Sequence, residues 1–385
     1  MSTGITFRSI SAEADGWAAI AKELERQLAE FPAVEAGYSR LGFLYTTDVL
    51  EDDFSSILTY LRQCTEIGDW VGSIGTGISV GGREIFGRPA AGGLIMTLPV
   101  DSYARLPTLR QNVDEIPADV RSWMRAASPP FGVVHGDPLN AGTVRLVESL
   151  SMEMENLNLE IPGFLVGGLA ASRNMGVQPA GSTAGGGLSG VLFSPAIEVA
   201  TGLSQGCAPV GPTHRVSEAM DNVIMGLDGE TALGVFKNDV GELLARDLRR
   251  VDGYIHAAFP IEGSDMGDYT VRNLHGIDVS RGWLAVGQAV HNGDKVLFVR
   301  RDPKSAEQDL RQMVDGLLGR LPEPPRAALY FSCVARGPSL FGSEGFETEL
   351  IRKALGDIPL VGFFGNGEIS NNRLYAYTGV LTLFL

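Results

Sequence analysis

Three stretches of the chain repeat one pattern, which is a strand, a helix, a second strand, a glycine-rich loop and a third strand. The copies read RLGFLYTTD, FSSILTYLRQC, WVGSIGTGIS and GGLIMTL (40–98), then FGVVHGDP, RLVESLSMEMENL, FLVGGLAAS and GLSGVLF (131–193), then RAALYFSCV, FETELIRKAL, LVGFFGNGEIS and YTGVLTLF (326–384). Continuous apolar runs predict strands covered on both faces, and apolar spacings of three and four predict amphipathic helices. We therefore expect an α/β fold with mixed β-sheets and flanking helices, in which internally duplicated strand-helix-strand-strand units form a compact two-lobe body.

Further elements are predicted outside the three copies. Helical patterns (GWAAIAKELERQL and SAEQDLRQMVDGLLGRL) precede the first and third copies. TALGVF (231–236) follows the turn signal LDGE and is predicted to be a strand. GWLAVGQAV and DKVLFVRR are predicted to pair as a hairpin around residues 292–294.

Composition excludes several classes of function. The net charge is −15 and the chain has no dense Lys/Arg run, which disfavours nucleic-acid binding. No apolar run approaches the ~18 residues that a membrane span needs, so we expect no membrane insertion. The three cysteines are far apart and form no CxxC motif, which favours a reducing, cytoplasmic location.

The glycine content points to the loops that follow the second strands. The chain has 49 glycines, whereas an average composition of about 7% predicts about 27. Loops at strand ends commonly converge on a ligand, and Gly75, Gly77, Gly365 and Gly367 would let the backbone approach one closely. Tight turns and close packing between copies explain these glycines equally well.

Side chains near the end of the third copy are candidate ligands or catalysts. Cys333 ends a predicted strand, and Arg336 three positions later would favour its thiolate, although buried packing also explains a thiol there. Glu368 either receives an amine or holds Arg336 in an ion pair. Arg272 and Asn273 offer donors suited to a carboxylate, with surface pairing as the alternative.

Two motifs of other catalytic and cofactor classes are absent from the sequence, which lacks GxxxxGK[ST] and HExxH. GSIGTG has GxxGxG spacing, so nucleotide binding is disfavoured. We expect no cofactor, and the remaining possibility is a haem with His135 or His214 as its axial ligand.

Several of these motifs, in this order, resemble the FIST family, named for F-box and intracellular signal transduction proteins. VGSIGTGIS, IPGFLVGGLA, GCAPVGPTHRV and LDGETAL are similar to the N-terminal module, and YTVRNLHGID, GWLAVGQAVHNGDKVLFVRRD, FSCVARG and GFFGNGEI with YTGVLTLF are similar to the C-terminal module. The resemblance implies an N-terminal helical extension (1–39), a FIST N-terminal module (40–236) and a FIST C-terminal module (237–385).

The resemblance also implies a sensory module for a small molecule such as an amino acid. It makes Cys333, Arg336, Asn366 and Glu368 the best ligand candidates. The two modules use nearly all of the chain, so we expect output through a signalling partner or a homo-oligomer. A non-enzymatic sensor is favoured, and a thiol enzyme or redox sensor using Cys333 and a haem-based gas sensor remain alternatives.

Overall fold

All three predicted copies have the same strand pairing in the computed structural model, which describes residues 4–157, 163–172, 186–241, 253–261 and 268–385. In each copy the first and second strands are parallel and the third strand pairs antiparallel with the first. The predicted helices are present and connect the parallel strands. The predicted α/β class, with mixed sheets and internal duplication, is confirmed.

The repeating unit is larger than the sequence pattern indicates, because an edge strand and a helix precede the first strand of every copy. Repeat 1 contains β1 (Thr6–Glu13), α1 (Trp17–Ala29), β2 (Tyr38–Thr47), α2 (Phe54–Cys64), β3 (Asp69–Gly75), β4 (Gly77–Val80), β5 (Arg83–Phe86) and β6 (Ala90–Pro99). Repeat 2 contains β7 (Tyr103–Leu109), α3 (Ala118–Ala127), β8 (Phe131–Gly136), α4 (Thr143–Leu157), β9 (Phe164–Leu169) and β10 (Leu188–Phe193).

Repeat 3 is interrupted by a separate compact unit. Its edge strand β11 (Val199–Ser204) is followed by 104 residues, Gln205–Gln308, that belong to the second unit. The repeat continues with α6 (Pro303–Leu318), β20 (Ala327–Cys333), α7 (Pro338–Phe341), α8 (Phe346–Leu355), β21 (Leu360–Gly365), β22 (Glu368–Asn371), β23 (Arg373–Tyr375) and β24 (Gly379–Phe384). The first unit therefore comprises Met1–Ser204, Asp309–Leu374 and Thr378–Leu385, and the second comprises Gln205–Gln308 and Tyr375–Tyr377.

Repeats in the first unit exchange hairpins. The β4–β5 hairpin of repeat 1 pairs through β4 with β21 of repeat 3, and β22 of repeat 3 pairs with β9 of repeat 2. Three backbone hydrogen bonds close a ring between the copies at equivalent positions. They run from Thr76 N to Phe364 O (3.1 Å), from Asn366 N to Leu169 O (3.0 Å) and from Ala171 N to Ile74 O (3.0 Å). The three copies thus form a cyclic, pseudo-threefold assembly within one chain.

The first unit has one core shared by the three repeats and one further core for each repeat. The shared core includes aromatic side chains from first strands, where Tyr45, His135 and Phe331 occupy equivalent positions and Phe363 contacts all three rings. The opposite face of each sheet packs against its own helices, namely α1 and α2, α3 and α4, or α6 and α8. This burial on both faces explains the continuous apolar runs of the strands.

One glycine in each repeat is required by backbone contact. Gly72, Gly167 and Gly362 stand opposite Leu44, Val134 and Tyr330 in the parallel strand pairs, and a Cβ at any of them would lie 1.7–1.8 Å from that residue's carbonyl oxygen. No side chain fits at that distance. Part of the glycine excess is therefore a packing requirement repeated three times.

Strands of the second unit pair in a closed order. They are β12 (Cys207–Pro209), β13 (His214–Met220), β14 (Val223–Leu227), β15 (Glu230–Thr231), β16 (Ile255–Pro260), β17 (Tyr269–Asp278), β18 (Trp283–Val286) and β19 (Lys295–Arg301). The ring runs β19-β13-β14-β18-β17-β16 and returns to β19, with β12 and β15 as side pairings. Helix α5 (Ala232–Val240) packs on the apolar core of this unit through Leu233 and Phe236.

Two predictions in the second unit are wrong. TALGVF is not a strand, because residues 232–236 begin α5 and bury one helical face. The predicted hairpin around residues 292–294 does not form, since β18 pairs with β14 and β17 while β19 pairs with β16, β13 and β12. A short apolar run does not distinguish a helix from a strand, and pairing between distant strands replaced the local hairpin. Among the helices described, none has the length and apolar character needed to cross a membrane.

Candidate functional site

The predicted site residues fall in both compact units. Cys333, Arg336, Asn366 and Glu368 belong to repeat 3 of the first unit, as do Gly365 and Gly367, while Gly75 and Gly77 belong to repeat 1. Arg272 and Asn273 lie on β17 of the second unit. The most informative chemistry is in repeat 3, where a buried set of charged side chains surrounds the end of β20. We call Arg336, Glu347, Glu368 and Thr378 the Arg336 cluster.

Arg336 is 1% exposed and forms an ion pair with Glu347, which is fully buried. The Arg336 Nε donates to Glu347 Oε1 over 2.7 Å. Glu347 also accepts from the hydroxyls of Tyr330 (2.7 Å) and Ser332 (3.1 Å) and from the Gly337 amide (3.0 Å). Burial lowers the pKa of the Arg336 guanidinium, but Glu347, Tyr330 and Glu368 together outweigh burial and hold that pKa above its usual range. Two roles were predicted for Glu368, and one of them was an ion pair that holds Arg336. In the structure Glu347 forms that ion pair.

Glu368 is fully buried at the start of β22, where the positive charge of Arg336 also acts on it. Its Oε2 accepts from the Thr378 hydroxyl (2.8 Å) and amide (3.2 Å). Burial nevertheless raises the pKa of Glu368 to about 8, because the Thr378 hydrogen bonds and the attraction of Arg336 only partly offset desolvation. Glu368 is therefore mostly a neutral carboxylic acid at pH 7.

Two buried polar atoms of this cluster have no partner among the described residues. They are Arg336 Nη1, a cationic donor, and Glu368 Oε1. The remaining guanidinium nitrogen, Nη2, makes a long contact of 3.4 Å with the Ser204 hydroxyl. An unpartnered buried polar atom costs about 1–3 kcal/mol and calls for an explanation such as a bound molecule.

Cys333 lies at the end of β20 and is 5% exposed. Its amide donates to the Thr378 carbonyl (3.1 Å), and its carbonyl accepts from the Arg336 amide (2.8 Å). The thiol-enzyme alternative depended on a guanidinium beside the thiol, whereas the Arg336 guanidinium is directed to Glu347 and Ser204.

Equivalent first-strand ends in the other repeats have structural roles. The Thr47 hydroxyl donates to the Arg88 carbonyl (2.7 Å), and an Asp137 carboxylate oxygen accepts from the Leu139 amide (2.7 Å). The three first-strand ends therefore differ in chemistry although they share one position in the repeat. Among the residues that the structure describes, repeat 3 alone places a buried arginine and two buried glutamates near this position.

The predicted glycine positions are explained by close contacts between and within repeats and by backbone conformation. A Cβ at Gly75 would lie 2.9 Å from the Phe364 carbonyl oxygen of repeat 3, and one at Gly365 would lie 2.5 Å from the Leu169 carbonyl oxygen of repeat 2. A Cβ at Gly77 would meet the Phe86 ring at 2.4 Å. Gly367 is buried at a φ of 139°, a conformation that favours glycine. These contacts support the packing explanation of the loops.

The other predicted polar residues are not part of the Arg336 cluster, because they are exposed or belong to the second unit. Asn366 is exposed, and its amide forms one bond of the inter-repeat ring. Arg272 is half-buried and donates to its neighbour's carbonyl at Val271 (2.9 Å). Asn273 is exposed and accepts from the Tyr377 hydroxyl (2.6 Å).

Two acidic residues of the site region were missed by the sequence reasoning. Glu347 lies in the stretch FETELIRKAL and shares the buried face of α8 with Leu350 and Ile351. The signal available in the sequence was a charged residue at helical spacing from these apolar residues. Glu84 of repeat 1 accepts from the amides of Gly345, Glu347 and Thr348 at the start of α8. No sequence signal connects Glu84 with a helix more than 250 residues away.

The two histidines of the haem alternative are occupied by protein contacts. His135 is fully buried among aromatic rings, and its Nε2 lies 3.0 Å from the Tyr45 hydroxyl. In the second unit, His214 Nδ1 and Nε2 contact Asp228 (2.7 Å) and Asp239 (2.8 Å). Within the described ranges, no group of three or more His, Cys, Asp or Glu side chains is arranged to hold a metal.

Known protein families and relatives match most of the chain. The FIST N domain matches residues 40–230, and the FIST C domain matches residues 232–371. An uncharacterized protein of Mycobacterium tuberculosis strain H37Rv is 30% identical over 357 residues, covering 87% of this chain and 88% of the relative. An uncharacterized protein of Mycobacterium bovis is 32% identical over 191 residues, covering 48% of this chain and 50% of the relative.

Human F-box only protein 22 is 35% identical over 74 residues, which is 19% of this chain and 18% of the relative. FIST domains are associated with signal transduction and ligand sensing. The predicted module boundaries at residues 39/40 and 236/237 stay predictions. Because the two domain matches together cover most of its length, the chain belongs to the FIST family.

Proposed function

We propose that this protein is a cytoplasmic sensor that binds a small zwitterionic metabolite, such as an amino acid, at the Arg336 cluster. The observation that carries the proposal is the pair of unpartnered buried atoms, Arg336 Nη1 and Glu368 Oε1. A ligand carboxylate would accept from Arg336 Nη1, and a ligand ammonium would donate to Glu368 Oε1. Family membership supports a sensing role, and the absence of a disulfide among Cys64, Cys207 and Cys333 supports a reducing compartment.

We base the carboxylate contact on Arg336 and not on Arg272. Arg336 and Glu368 belong to the same compact unit, and the charge of Glu368 acts on the pKa of Arg336. The positive charge of Arg336 is already balanced by Glu347, while Glu368 is largely protonated at pH 7. When a zwitterion binds and Glu368 ionises, the protein side of the site therefore gains one negative charge. That charge faces the ammonium group of the ligand.

Proton release is the distinguishing signature of this binding mode. The free protein carries a proton on Glu368 at pH 7 because its pKa is about 8. An ammonium at Oε1 favours the ionised carboxylate, so binding expels that proton. A ligand held by neutral groups would not release a proton.

Access to the cluster requires the segment that covers Arg336 to open, because Arg336 and Glu368 are at most 1% exposed. The Arg336 guanidinium lies 5.8 Å from the centre of the Phe341 ring, in α7. This four-residue helix is bounded by Gly337 (φ 50°) and Gly342 (φ 80°). We propose that α7 moves when the ligand enters.

Thermal-shift screening with the amino acids and related amines identifies the ligand, since a molecule that binds only the folded state raises Tm. Calorimetry in two buffers of different ionisation enthalpy then measures proton release at pH 7. We expect release in the wild type, its loss in Glu368→Gln, and weaker binding in Arg336→Lys. Glu349→Gln, which changes an exposed carboxylate of the same helix α8, should leave binding and proton release unchanged.

Failure of every amino acid and amine to raise Tm would contradict the proposed ligand class. A ligand whose affinity and proton release are the same in Glu368→Gln as in the wild type would contradict the proposed site. We further propose that the signal passes to a protein partner or a second copy of the chain. Light scattering with and without the identified ligand tests whether assembly responds to binding.

A further inference from the structure

Repeat 1 has a second arrangement of positively charged side chains, on the helix-covered face of its sheet. In the antiparallel register Arg8 of β1 stands opposite Ile95 of β6, and Arg40 of β2 stands opposite Thr97 of the same strand. Opposed residues and residues two apart share one face of a sheet. Arg8 and Arg40 therefore project from the same face on either side of β6.

A single aromatic ring contacts both guanidinium groups. Phe31, which follows α1, has its ring centre 5.1 Å from the Arg8 guanidinium carbon and 5.8 Å from that of Arg40. Arg40 also donates from Nη2 to the Pro32 carbonyl. Cation–π contact and this hydrogen bond hold the two cations in place before any ligand binds.

Neither arginine is neutralised by a carboxylate. Within the residues that the structure describes, Arg8 and Arg40 take part in no ion pair, although the chain carries 46 acidic residues and 31 basic ones. The Nε of Arg40 is buried and lacks a hydrogen-bond partner among those residues. Two unpaired guanidiniums beside one ring are unexpected in a chain of net charge −15 unless an anion joins them.

A cleft of about 100 Å³ opens between these side chains. Its walls include Arg8, Arg40, Phe31 and Thr97, and the exposed Glu35 contributes the carboxylate found in the lining. The volume exceeds the share of about three liquid water molecules at about 30 Å³ each. The cleft has room for a small oxyanion.

We infer that this cleft binds the phosphate or carboxylate group of a small anion, with Arg40 as the inner donor and Arg8 as the exposed one. We call it the Arg8–Arg40 cleft. Guanidinium groups bind both kinds of oxyanion through paired N–H donors. The cleft belongs to repeat 1 and shares no residue with the Arg336 cluster, so the two sites can be tested separately.

Isothermal titration with sodium phosphate and with sodium malonate, at ionic strength held constant with chloride, tests the inference. We expect saturable binding of at least one of the two anions. Arg8→Gln should weaken that binding at least tenfold, and Phe31→Leu should weaken it because the ring no longer positions the guanidiniums. Arg352→Gln is the matched control, since Arg352 is an arginine already paired with Glu349.

Arg40→Gln is expected to abolish binding, but it also removes the bond to the Pro32 carbonyl and can impair folding. Arg8→Gln keeps the test decisive, because Arg8 is exposed and its guanidinium packs on the Phe31 ring. Binding of phosphate alone assigns the cleft to phosphate compounds, and binding of malonate alone assigns it to carboxylates. Absence of saturable binding by either anion, or equal affinity in Arg8→Gln and Arg352→Gln, would overturn the inference.

Discussion

The Nε of Arg336 lies 2.7 Å from Oε1 of Glu347, in an interior where neither side chain is more than 1% exposed. A buried ion pair contributes little net stability, because both charges have lost their hydration. Removing one partner is costly, since the other remains as a buried and uncompensated charge. The pair thus fixes the position of Arg336 and leaves its Nη1 directed elsewhere.

Replacing Glu347 with glutamine should lower the free energy of unfolding by about 3–5 kcal/mol, because Arg336 loses its counter-charge in the interior. Urea unfolding followed by circular dichroism measures the change. The control is Glu349→Gln on the same helix, whose exposed pair with Arg352 should be worth less than about 1 kcal/mol. Similar losses in the two variants would contradict the role given to the buried pair.

Replacing Gly362 with alanine should prevent stable folding or cost more than about 4 kcal/mol, because the new methyl group would overlap the Tyr330 carbonyl oxygen. Gly316→Ala is the matched control. Gly316 is an exposed glycine in α6 with open space where a Cβ would go, and alanine there should stabilise the protein by up to about 1 kcal/mol. Thermal unfolding of the two variants distinguishes the cases, and a well-folded Gly362→Ala protein would refute the contact.

His135 should make the protein less stable as the pH falls from about 6.5 towards 3. Burial lowers the pKa of His135 to about 3, so in this range the unfolded chain binds a proton that the folded chain does not. Stability should then fall by about 1.4 kcal/mol for each pH unit from this residue. The measurement is the difference in unfolding free energy between wild type and His135→Gln across the range.

Glu368 should act with the opposite sign. Its pKa is about 8 in the folded protein and near 4.5 when exposed, so the folded state holds an extra proton between these values. The stability that this proton gives is fully present below about pH 4.5 and is lost as the pH rises to 8. In Glu368→Gln the side chain does not titrate, so unfolding free energy should decline less over this range than in the wild type. Parallel curves for the two proteins would show that Glu368 ionises normally.

Much of the local structure of the repeats was predictable because its causes are local. The apolar runs around Phe43, Val133 and Leu329 are long enough to cover both faces of a strand, and the helices between them carry apolar residues at three- and four-residue spacing. Thr47, Asp137 and Cys333 stand at the same position relative to the three first strands, because strand register repeats with the pattern. The strand predicted for residues 231–236 was wrong because the apolar residues fit both a helical and a strand period. Packing in the second unit favours the helix.

The partners within the site depend on distances across the chain that sequence spacing does not contain. Several acidic residues follow Arg336 in the chain, and the tertiary structure joins its Nε to Glu347 while leaving Glu368 bonded to Thr378. Glu84 reaches α8 only because the hairpin of repeat 1 is added to the sheet of repeat 3. These side-chain partners depend on how the sheets pack, and the spacing of residues along the sequence does not specify that packing.

By itself, the sequence determined the α/β class, the three copies and the FIST resemblance, because apolar period, turn residues and motif order are properties of adjacent residues. Tertiary structure alone decided that the hairpins of repeats 1 and 3 each join the sheet of another repeat, that a second unit interrupts repeat 3, and that Arg336 is neutralised by Glu347. The physical reason is that backbone pairing and burial of charge are settled between segments far apart in the chain. Their free energies exist only once those segments are in contact.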